Sequence, residues 1–387
     1  MKKLFLILSI IFMATLLLGE DFITANNLFS VELYKVLSKE HDNLFFSPFS
    51  ISTAFAMAYL GASGNTAMEM ERVLHFKDNV HEEISKLLKD FRTSEKPYQL
   101  FIANTMWAQE GYPFLKEYLE KVQKFYESGL NFVDFISKTR RKEALKKINE
   151  WVKEKTLGKI TELLKEDDIN SLTRLVLTNA IYFKASWAKP FEPESTEKGI
   201  FHISEKESVE VDMMRQEGIF NYFEDERVQM LELPYEGNEI SMLILLPKKG
   251  LNLKDFEETL DFDVFKRWLN SLNAVSVDVR LPKFKIESRL SLKKTLMNMG
   301  MESAFTESAD FSKMDGTRKL KIQNVIHKAF VSVDEKGTEA AAATAVIIGL
   351  KALRVPVLFE ANRPFMFFIY DRKNDLILFV GKLVEPS

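Results

Sequence analysis

The order of helical and strand patterns is the feature that most restricts the fold of this chain. Helical apolar spacing occurs early: an amphipathic pattern opens at Phe22, a second pattern covers residues 50–59, and a third lies near residues 141–156. Strand patterns dominate later, and the two kinds do not alternate regularly. Because a doubly wound fold needs strands that alternate with helices, this order predicts an α+β protein.

The later part of the chain contains two hairpin patterns, each with a short polar turn between β-prone runs. The four runs are residues 228–234, 240–246, 364–370 and 376–380. The last two runs are apolar at nearly every position, whereas a strand buried on one face alternates. We therefore predict that the C-terminal hairpin is buried on both faces.

The N-terminus has the pattern of a targeting signal. Met1 is followed by Lys2 and Lys3, residues 4–18 are nearly all apolar, and the small Gly19 precedes polar residues. The apolar run is short for a membrane span and sits where a signal peptide sits. Residues 1–19 are predicted to be a signal peptide and residues 20–387 one compact domain that is secreted and extracellular; an N-terminal anchor is the alternative.

Composition argues against most catalytic and binding classes. The chain of 387 residues has no cysteine and a net charge of −3, so thiol chemistry and electrostatic binding to nucleic acid or a membrane surface are not expected. Its five histidines fall in no metal-ligand motif, and no nucleophile elbow, phosphate loop or dinucleotide fingerprint occurs. We expect no enzyme, cofactor or metal site, although a catalytic triad is defined by geometry and stays open.

Residues 335–354 have conflicting local preferences. Thr338 is a plausible helix N-cap and four alanines follow Glu339, but residues 346–348 favour a strand. As a strand, the segment would have one face without charge, beginning at Thr338, while Glu339 and Lys351 share the other face. Such conflict is typical of functional sites, and the uncharged face would allow the segment to enter a sheet. A surface helix followed by a strand is the alternative.

Several motifs in order along the chain carry a resemblance to one family. They are NLFFSPFS at residues 43–50, GASGNT at 61–66, NAIYFKASW at 179–187, DEKGTEAAAAT at 334–344, NRPF at 362–365 and FVGK at 379–382. The chain resembles the serpin family along essentially its whole mature length. The resemblance implies the serpin fold, with three β-sheets, eight or nine helices and an exposed reactive-centre loop at about residues 335–356.

The resemblance also implies a mechanism, the trapping of a serine protease in a covalent complex. The protease cleaves the loop, which then inserts into the main sheet; about 15 residues at ~3.3 Å each would move the protease roughly 50 Å. The hinge that enters first corresponds to Glu335, Gly337, Thr338, Glu339, Ala340, Ala341, Ala342 and Ala343. Since no inward hinge position is charged or bulky, we expect inhibition; a non-inhibitory carrier or chaperone is the alternative.

Family spacing places the scissile residue 16 positions after Glu335, which predicts cleavage between Lys351 and Ala352. A basic residue before the bond implies a trypsin-like serine protease as partner. Arg354 and Leu350 are the alternatives, and Leu350 would suit a chymotrypsin-like enzyme. The inhibitor itself is expected to be a monomer.

Four polar residues match the family's shutter beneath the central strands, namely Ser47, Ser50, Asn179 and His327. Trp187 matches the breach, where the loop first enters the sheet. The alternatives are that each polar residue is an ordinary satisfied buried group and that Trp187 is a core aromatic residue.

A basic run could bind a sulfated polysaccharide, a glycosaminoglycan, as some serpins do. It comprises Lys138, Arg140, Arg141, Lys142, Lys146 and Lys147. The family's usual heparin surfaces lie on other helices, and a solvated helix face is the alternative.

Overall fold

The structure is a computed structural model that describes residues 21–92, 96–126, 130–338 and 355–386. Ten α-helices occur in the described residues: α1 (Phe22–Leu37), α2 (Pro48–Tyr59), α3 (Gly64–Leu74), α4 (Val80–Phe91), α5 (Lys116–Tyr126), α6 (Lys138–Lys155), α7 (Leu253–Thr259), α8 (Phe262–Asn270), α9 (Leu292–Asn298) and α10 (Ser312–Asp315). None of the helices in these ranges combines the length and apolarity needed to cross a bilayer.

The helix boundaries follow local sequence signals. Asp21 caps α1 by accepting a hydrogen bond from the Thr24 amide at 2.9 Å. Ser47 caps α2, and Pro48 stands at the first helical position, where its missing N–H is not needed. The three helices that the sequence predicts are confirmed, with α2 and α6 starting two and three residues earlier than the apolar patterns indicate.

Fifteen strands occur in the described residues: β1 (Leu44–Phe46), β2 (Tyr98–Gln109), β3 (Leu130–Val133), β4 (Leu175–Ser186), β5 (Glu197–His202), β6 (Ser208–Glu224), β7 (Val228–Pro234), β8 (Ile240–Pro247), β9 (Asn273–Pro282), β10 (Phe284–Ser291), β11 (Asn324–Asp334), β12 (Gly337–Thr338), β13 (Val357–Glu360), β14 (Phe365–Asp371) and β15 (Leu376–Leu383). They form a six-stranded sheet in the order β10-β11-β12-β4-β2-β3 and a nine-stranded sheet in the order β1-β15-β14-β8-β7-β6-β9-β13, with β5 also paired to β6.

The nine-stranded sheet consists of two portions that share β6. The first part of β6 pairs with β5 and its middle with β9, whereas only residues 221–224 pair with β7. The three sheets that the family resemblance implies correspond to the six-stranded sheet and these two portions. Both strands of the C-terminal hairpin, β14 and β15, are buried at every position, which confirms that prediction.

The six-stranded sheet has its central strands covered on both faces. Odd-numbered residues of β4 and β11 pack into the main core beside α2, and even-numbered residues such as Ile326 pack against α6. Residues 324–330 of β11 pair with residues 176–182 of β4 in parallel. At their other ends the two strands separate, and β12 lies between them.

Candidate functional site

Two residues of the predicted hinge, Gly337 and Thr338, form β12, which pairs with a strand on each side. Thr338 lies opposite Val333 of β11 and Ala185 of β4, and both pairings are antiparallel. Directly opposite residues share a face, so the Thr338 side chain points into the main core, where its exposed fraction is 0 %. Locally this residue could begin a helix, but the two neighbouring strands satisfy its backbone as a strand instead.

Gly337 occupies a position that only glycine can fill. Its φ is +149°, and a Cβ there would lie 2.2 Å from the backbone oxygen of Ala185. The close approach lets the chain leave its turn and enter directly between the two strands.

Glu335 fixes the turn that precedes the hinge strand. Its carboxylate accepts a hydrogen bond from Thr196 at 2.9 Å and pairs with the Lys283 ammonium at 3.1 Å, while its carbonyl accepts the Phe191 amide at 2.8 Å. Burial raises the pKa of Glu335, but hydrogen bonds from its own backbone, Lys283 and Thr196 outweigh burial, so the pKa lies below its ordinary value. The carboxylate is therefore charged at neutral pH.

Trp187 holds the same turn from the side of β4. Its indole Nε1–H donates to the carbonyl of Asp334 at 3.0 Å, and its backbone N–H donates to that of Lys336 at 2.9 Å. The indole stacks on Tyr235 with ring centroids 4.5 Å apart, and the Tyr235 hydroxyl lies 2.7 Å from Thr338 Oγ1. Tyr235 thus connects Trp187 to the hinge, a role that the sequence analysis missed because Tyr235 lies in a separate hairpin.

The polar residues matched to the shutter meet in one buried cluster between α2 and the central strands. The His327 Nδ1–H hydrogen bonds to Asn179 Oδ1, and His327 Nε2 accepts the Ser47 backbone N–H at 3.1 Å. Asn179 Nδ2 donates to Ser50 Oγ at 2.8 Å, and Ser47 Oγ donates to the Leu378 carbonyl at 2.7 Å. These bonds connect both central strands to the start of α2.

Asn104 of β2 completes the cluster and was not among the residues singled out from the sequence. Its Oδ1 accepts hydrogen bonds from Ser50 Oγ at 2.8 Å and Asn179 Nδ2 at 2.7 Å, and its Nδ2 donates to the Ser50 carbonyl at 2.8 Å. A signal existed, since Asn104 is a polar residue inside an apolar strand pattern.

His327 is neutral in this cluster. Complete burial lowers its pKa to about 3, well below the ordinary value of 6.5. Because Nε2 accepts a backbone hydrogen bond, the proton of the neutral ring sits on Nδ1, where it is donated to Asn179. The bond between His327 and Asn179 joins β11 directly to β4.

Several residues singled out from the sequence lie outside the described residues. They are Glu339, Ala340, Ala341, Ala342, Ala343, Leu350, Lys351, Ala352 and Arg354, together with the signal sequence at residues 1–19. The hinge residues before Glu339 and the shutter and breach residues are all described.

The basic run on α6 is largely engaged with nearby acids and carbonyls. Arg140 pairs with Glu110 at 3.3 Å, Lys142 with Glu166 at 3.7 Å, and Lys146 with Glu150 at 3.7 Å. Arg141 donates to the carbonyls that precede the helix. Four of the six basic residues therefore have an acidic or carbonyl partner on the protein itself.

The described residues contain no group of three or more histidine, cysteine and acidic side chains that could hold a metal ion. The features that remain are a buried polar cluster and a two-residue strand that separates two central strands. Both features lie along the interface between β4 and β11, which pair directly at one end and are separated by β12 at the other.

The chain belongs to the serpin family. The family model described as Serpin (serine protease inhibitor) matches residues 24–386. A serpin-like protein of Thermococcus kodakarensis is 43 % identical over 94 % of this chain and 86 % of its own length, and the leukocyte elastase inhibitor of Bos taurus is 41 % identical over 95 % and 100 %.

Solved structures agree with the family assignment. Uncleaved ovalbumin superimposes with a TM-score of 0.88 at 32 % identity, covering 95 % of this chain and 100 % of that one. Human thyroxine-binding globulin, solved in complex with its hormone, superimposes with a TM-score of 0.86 at 32 % identity over 95 % and 98 %. The serpin fold is thereby established for this chain.

Proposed function

We propose that this chain inhibits a trypsin-like serine protease by inserting residues 339–347 between β4 and β11 after cleavage at Lys351–Ala352. The observation that carries the proposal is the hinge strand β12, which already pairs with both central strands. The strands β4 and β11 are therefore already separated at the end where insertion would begin, whereas residues 176–182 and 324–330 still pair directly with each other.

The pairing of Thr338 defines a register for the rest of the loop. Thr338 lies opposite Val333 and Ala185 in antiparallel pairs, so each residue further along the loop would pair with the residue one position earlier in β11 and in β4. Residue 347 would then reach Asn324 and Val176, the last pair of the present β4–β11 ladder. Nine residues beyond Thr338 would fill the interface between the two strands. Together with Gly337 and Thr338, which already lie there, the inserted strand would span 11 residues rather than the expected 15 or so.

In this register Thr344, six residues beyond Thr338, would lie opposite both His327 and Asn179, which pair with each other in the present sheet. Insertion would push those side chains apart by one strand spacing of ~4.8 Å and break their hydrogen bond. The Thr344 hydroxyl can donate and accept, so it can replace the lost partner of each. After insertion, His327 Nδ1–H and Asn179 Oδ1 would therefore each have a hydrogen-bond partner in Thr344.

The hydrogen-bond balance favours insertion. The seven residue pairs between β4 and β11 would be exchanged for nine inserted residues that each pair on two sides. At about one bond per residue and ladder, the net gain is roughly ten bonds, or about 10 kcal/mol at ~1 kcal/mol each. That energy is comparable to the whole stability of a typical protease domain, so dragging the protease along can distort it.

The first experiment mixes the full chain with active trypsin and examines the products on a denaturing gel. We expect a covalent adduct, release of a peptide that begins at Ala352, and a higher melting temperature for the nicked chain. Complete cleavage without adduct would contradict inhibition, and a peptide that begins at another residue would contradict the assignment of the bond.

A hinge variant tests insertion separately from cleavage. Thr338 is already buried between β4 and β11, and burying an unpaired carboxylate there would cost several kcal/mol. Thr338→Glu should therefore displace β12 from the sheet, so that insertion would have to start from an unpaired hinge and would be slower. We expect cleavage at an unchanged rate with most of the adduct lost. Lys336→Glu, which adds a carboxylate at the exposed turn, is the matched control and should retain the adduct.

A carrier function is the second candidate, because thyroxine-binding globulin has the same fold and is solved with a bound hormone. If the wild-type chain forms the adduct and Thr338→Glu does not, the result would favour the inhibitor function over the carrier function.

Secretion is proposed from the N-terminal pattern at residues 1–19. We expect N-terminal sequencing of the exported chain to begin at Glu20. Recovery of the protein only in the cell fraction, with Met1 retained, would contradict this proposal.

A further inference from the structure

A groove at the end of α2 takes no part in the hinge or in the buried polar cluster. Helix α3 ends at His75, whose left-handed φ of 55° turns the chain, and residues 76–79 then pass beside Tyr59, the last residue of α2, before α4 begins. The space between these elements has a volume of about 870 Å³ and is open to solvent. This volume is in the range of sites that bind small molecules.

The lining of the groove provides apolar surface next to a carboxylate. The Tyr59 ring packs on Phe76 with centroids 5.5 Å apart, and the Met68 side chain, which is 58 % exposed, lines the same groove. The Tyr59 hydroxyl donates to Glu71 Oε1 at 2.5 Å, which fixes the carboxylate beside the ring. A ligand could therefore cover Tyr59 and Met68 with an apolar part and place a polar end at Glu71.

The unpaired charges of the groove are mainly negative. Within the described residues, Glu71 Oε2 and the Asp78 carboxylate have no hydrogen-bond donor and no cation. Two of the cations in the lining are engaged, since Arg72 donates to a backbone carbonyl at 2.9 Å and His75 pairs with a carboxylate at 2.9 Å. Lys77 is the remaining cation, so in this part of the chain two free carboxylates face one free ammonium.

Both carboxylates act on the Tyr59 hydroxyl. Burial, the hydrogen bond to Glu71 and the negative charges of Glu71 and Asp78 all raise the pKa of Tyr59, so the phenol stays protonated. Its hydrogen is donated to Glu71, while its oxygen can still accept a hydrogen bond. Glu71 Oε2, the Tyr59 oxygen and Asp78 therefore provide three acceptors, which matches the three N–H donors of a primary ammonium group.

We infer that this groove binds a small organic cation, a primary amine attached to an aromatic ring. The ammonium group lies between Glu71 and Asp78, and the aromatic ring covers Met68 and Tyr59. The inference does not rest on protease inhibition, because Tyr59 is ~16 Å along α2 from the end of the helix that contacts the central strands.

The first test uses 2-phenylethylammonium as the probe and the full chain labelled with ¹³C at the methionine methyl groups. Met68→Leu identifies the Met68 methyl signal. We expect this signal to shift saturably, with a dissociation constant below about 5 mM, as is reasonable for a ligand of so few atoms. The trimethylammonium analogue carries the same charge but no N–H donor, and we expect it to bind at least tenfold more weakly.

Three variants test the charges. Glu71→Gln removes the charge but keeps an oxygen that can accept from Tyr59, and we expect at least tenfold weaker binding of the probe. Asp78→Asn should weaken binding about threefold, because Asp78 is exposed and its charge is screened. Asp42→Asn, which removes an exposed carboxylate outside the groove, is the matched control and should change binding less than twofold.

Three outcomes would overturn the inference: a Met68 signal that stays in place up to about 20 mM probe, equal binding of the trimethylammonium analogue, or the same affinity in Glu71→Gln and Asp42→Asn. If Glu71→Gln lowers the melting temperature of the free chain, Asp78→Asn and the analogue decide the question instead. The proposed function is tested separately by the adduct with trypsin, so failure of this site would leave it unaffected.

Discussion

Lowering the pH should reduce the free energy of unfolding of the native chain, because His327 in the six-stranded sheet is buried in its neutral form. The imidazole is buried and neutral with a pKa of about 3, whereas in the unfolded chain it titrates near 6.5. Below pH 6.5 the unfolded state binds a proton that the native state does not, so stability falls as the pH decreases toward 3. The full contribution is present above pH 6.5.

The magnitude follows from the proton-binding difference. At pH 5 the unfolded histidine gains about 2 kcal/mol from protonation, while the native ring is still almost entirely neutral. Going from pH 7.5 to pH 5 should therefore reduce the free energy of unfolding by about 2 kcal/mol through this residue alone. That is a substantial part of the stability of an ordinary domain, and it acts on the contact that joins β4 to β11.

The assay compares the wild-type chain with His327→Gln in denaturant titrations at the two pH values. His81, whose pKa burial lowers to about 4, is present in both proteins, so its contribution cancels in the double difference. We expect the wild type to lose about 2 kcal/mol more than the variant between pH 7.5 and pH 5. A double difference below about 0.5 kcal/mol would refute the neutral, proton-excluding site.

Three further substitutions test the hinge and the cluster. Gly337→Ala should force the hinge strand out of the sheet, because the new Cβ would collide with the Ala185 carbonyl oxygen. We expect a lower melting temperature and a lower yield of the protease adduct. Tyr235→Phe should cost about 1–3 kcal/mol by leaving the Thr338 hydroxyl unpaired while keeping the ring stack, and an unchanged melting temperature would contradict this contact. Asn104→Ala should destabilise the native sheet by about 2–4 kcal/mol in denaturant titration, since three buried hydrogen bonds are lost, and a change under 1 kcal/mol would contradict their importance.

The helices and hairpins could be predicted because their signals are local. The apolar spacing after Phe22, the serine and proline at the start of α2 and the polar turns of the two hairpins act over a few residues. The family motifs added what local patterns cannot show, since they indicated which distant polar residues belong together. The structure brings Ser47, Ser50, Asn179 and His327 into one cluster.

Asn104 and Tyr235 show where sequence reasoning stops. Asn104 is separated by 54 residues from Ser50 and 75 from Asn179, and Tyr235 is 103 residues from Thr338. Each is ordinary in its local setting, and its importance arises from a partner supplied by another element.

The sequence by itself determined the α+β order of elements and a hinge whose inward face, beginning at Thr338, carries no charge. It left open whether that hinge is a helix or a strand, because alanine favours one and the following β-branched residues favour the other. Only the tertiary structure decided the question at Gly337 and Thr338. The separated ends of β4 and β11 provide hydrogen-bonding partners on both sides of these two residues, and those long-range pairings outweigh the local preference.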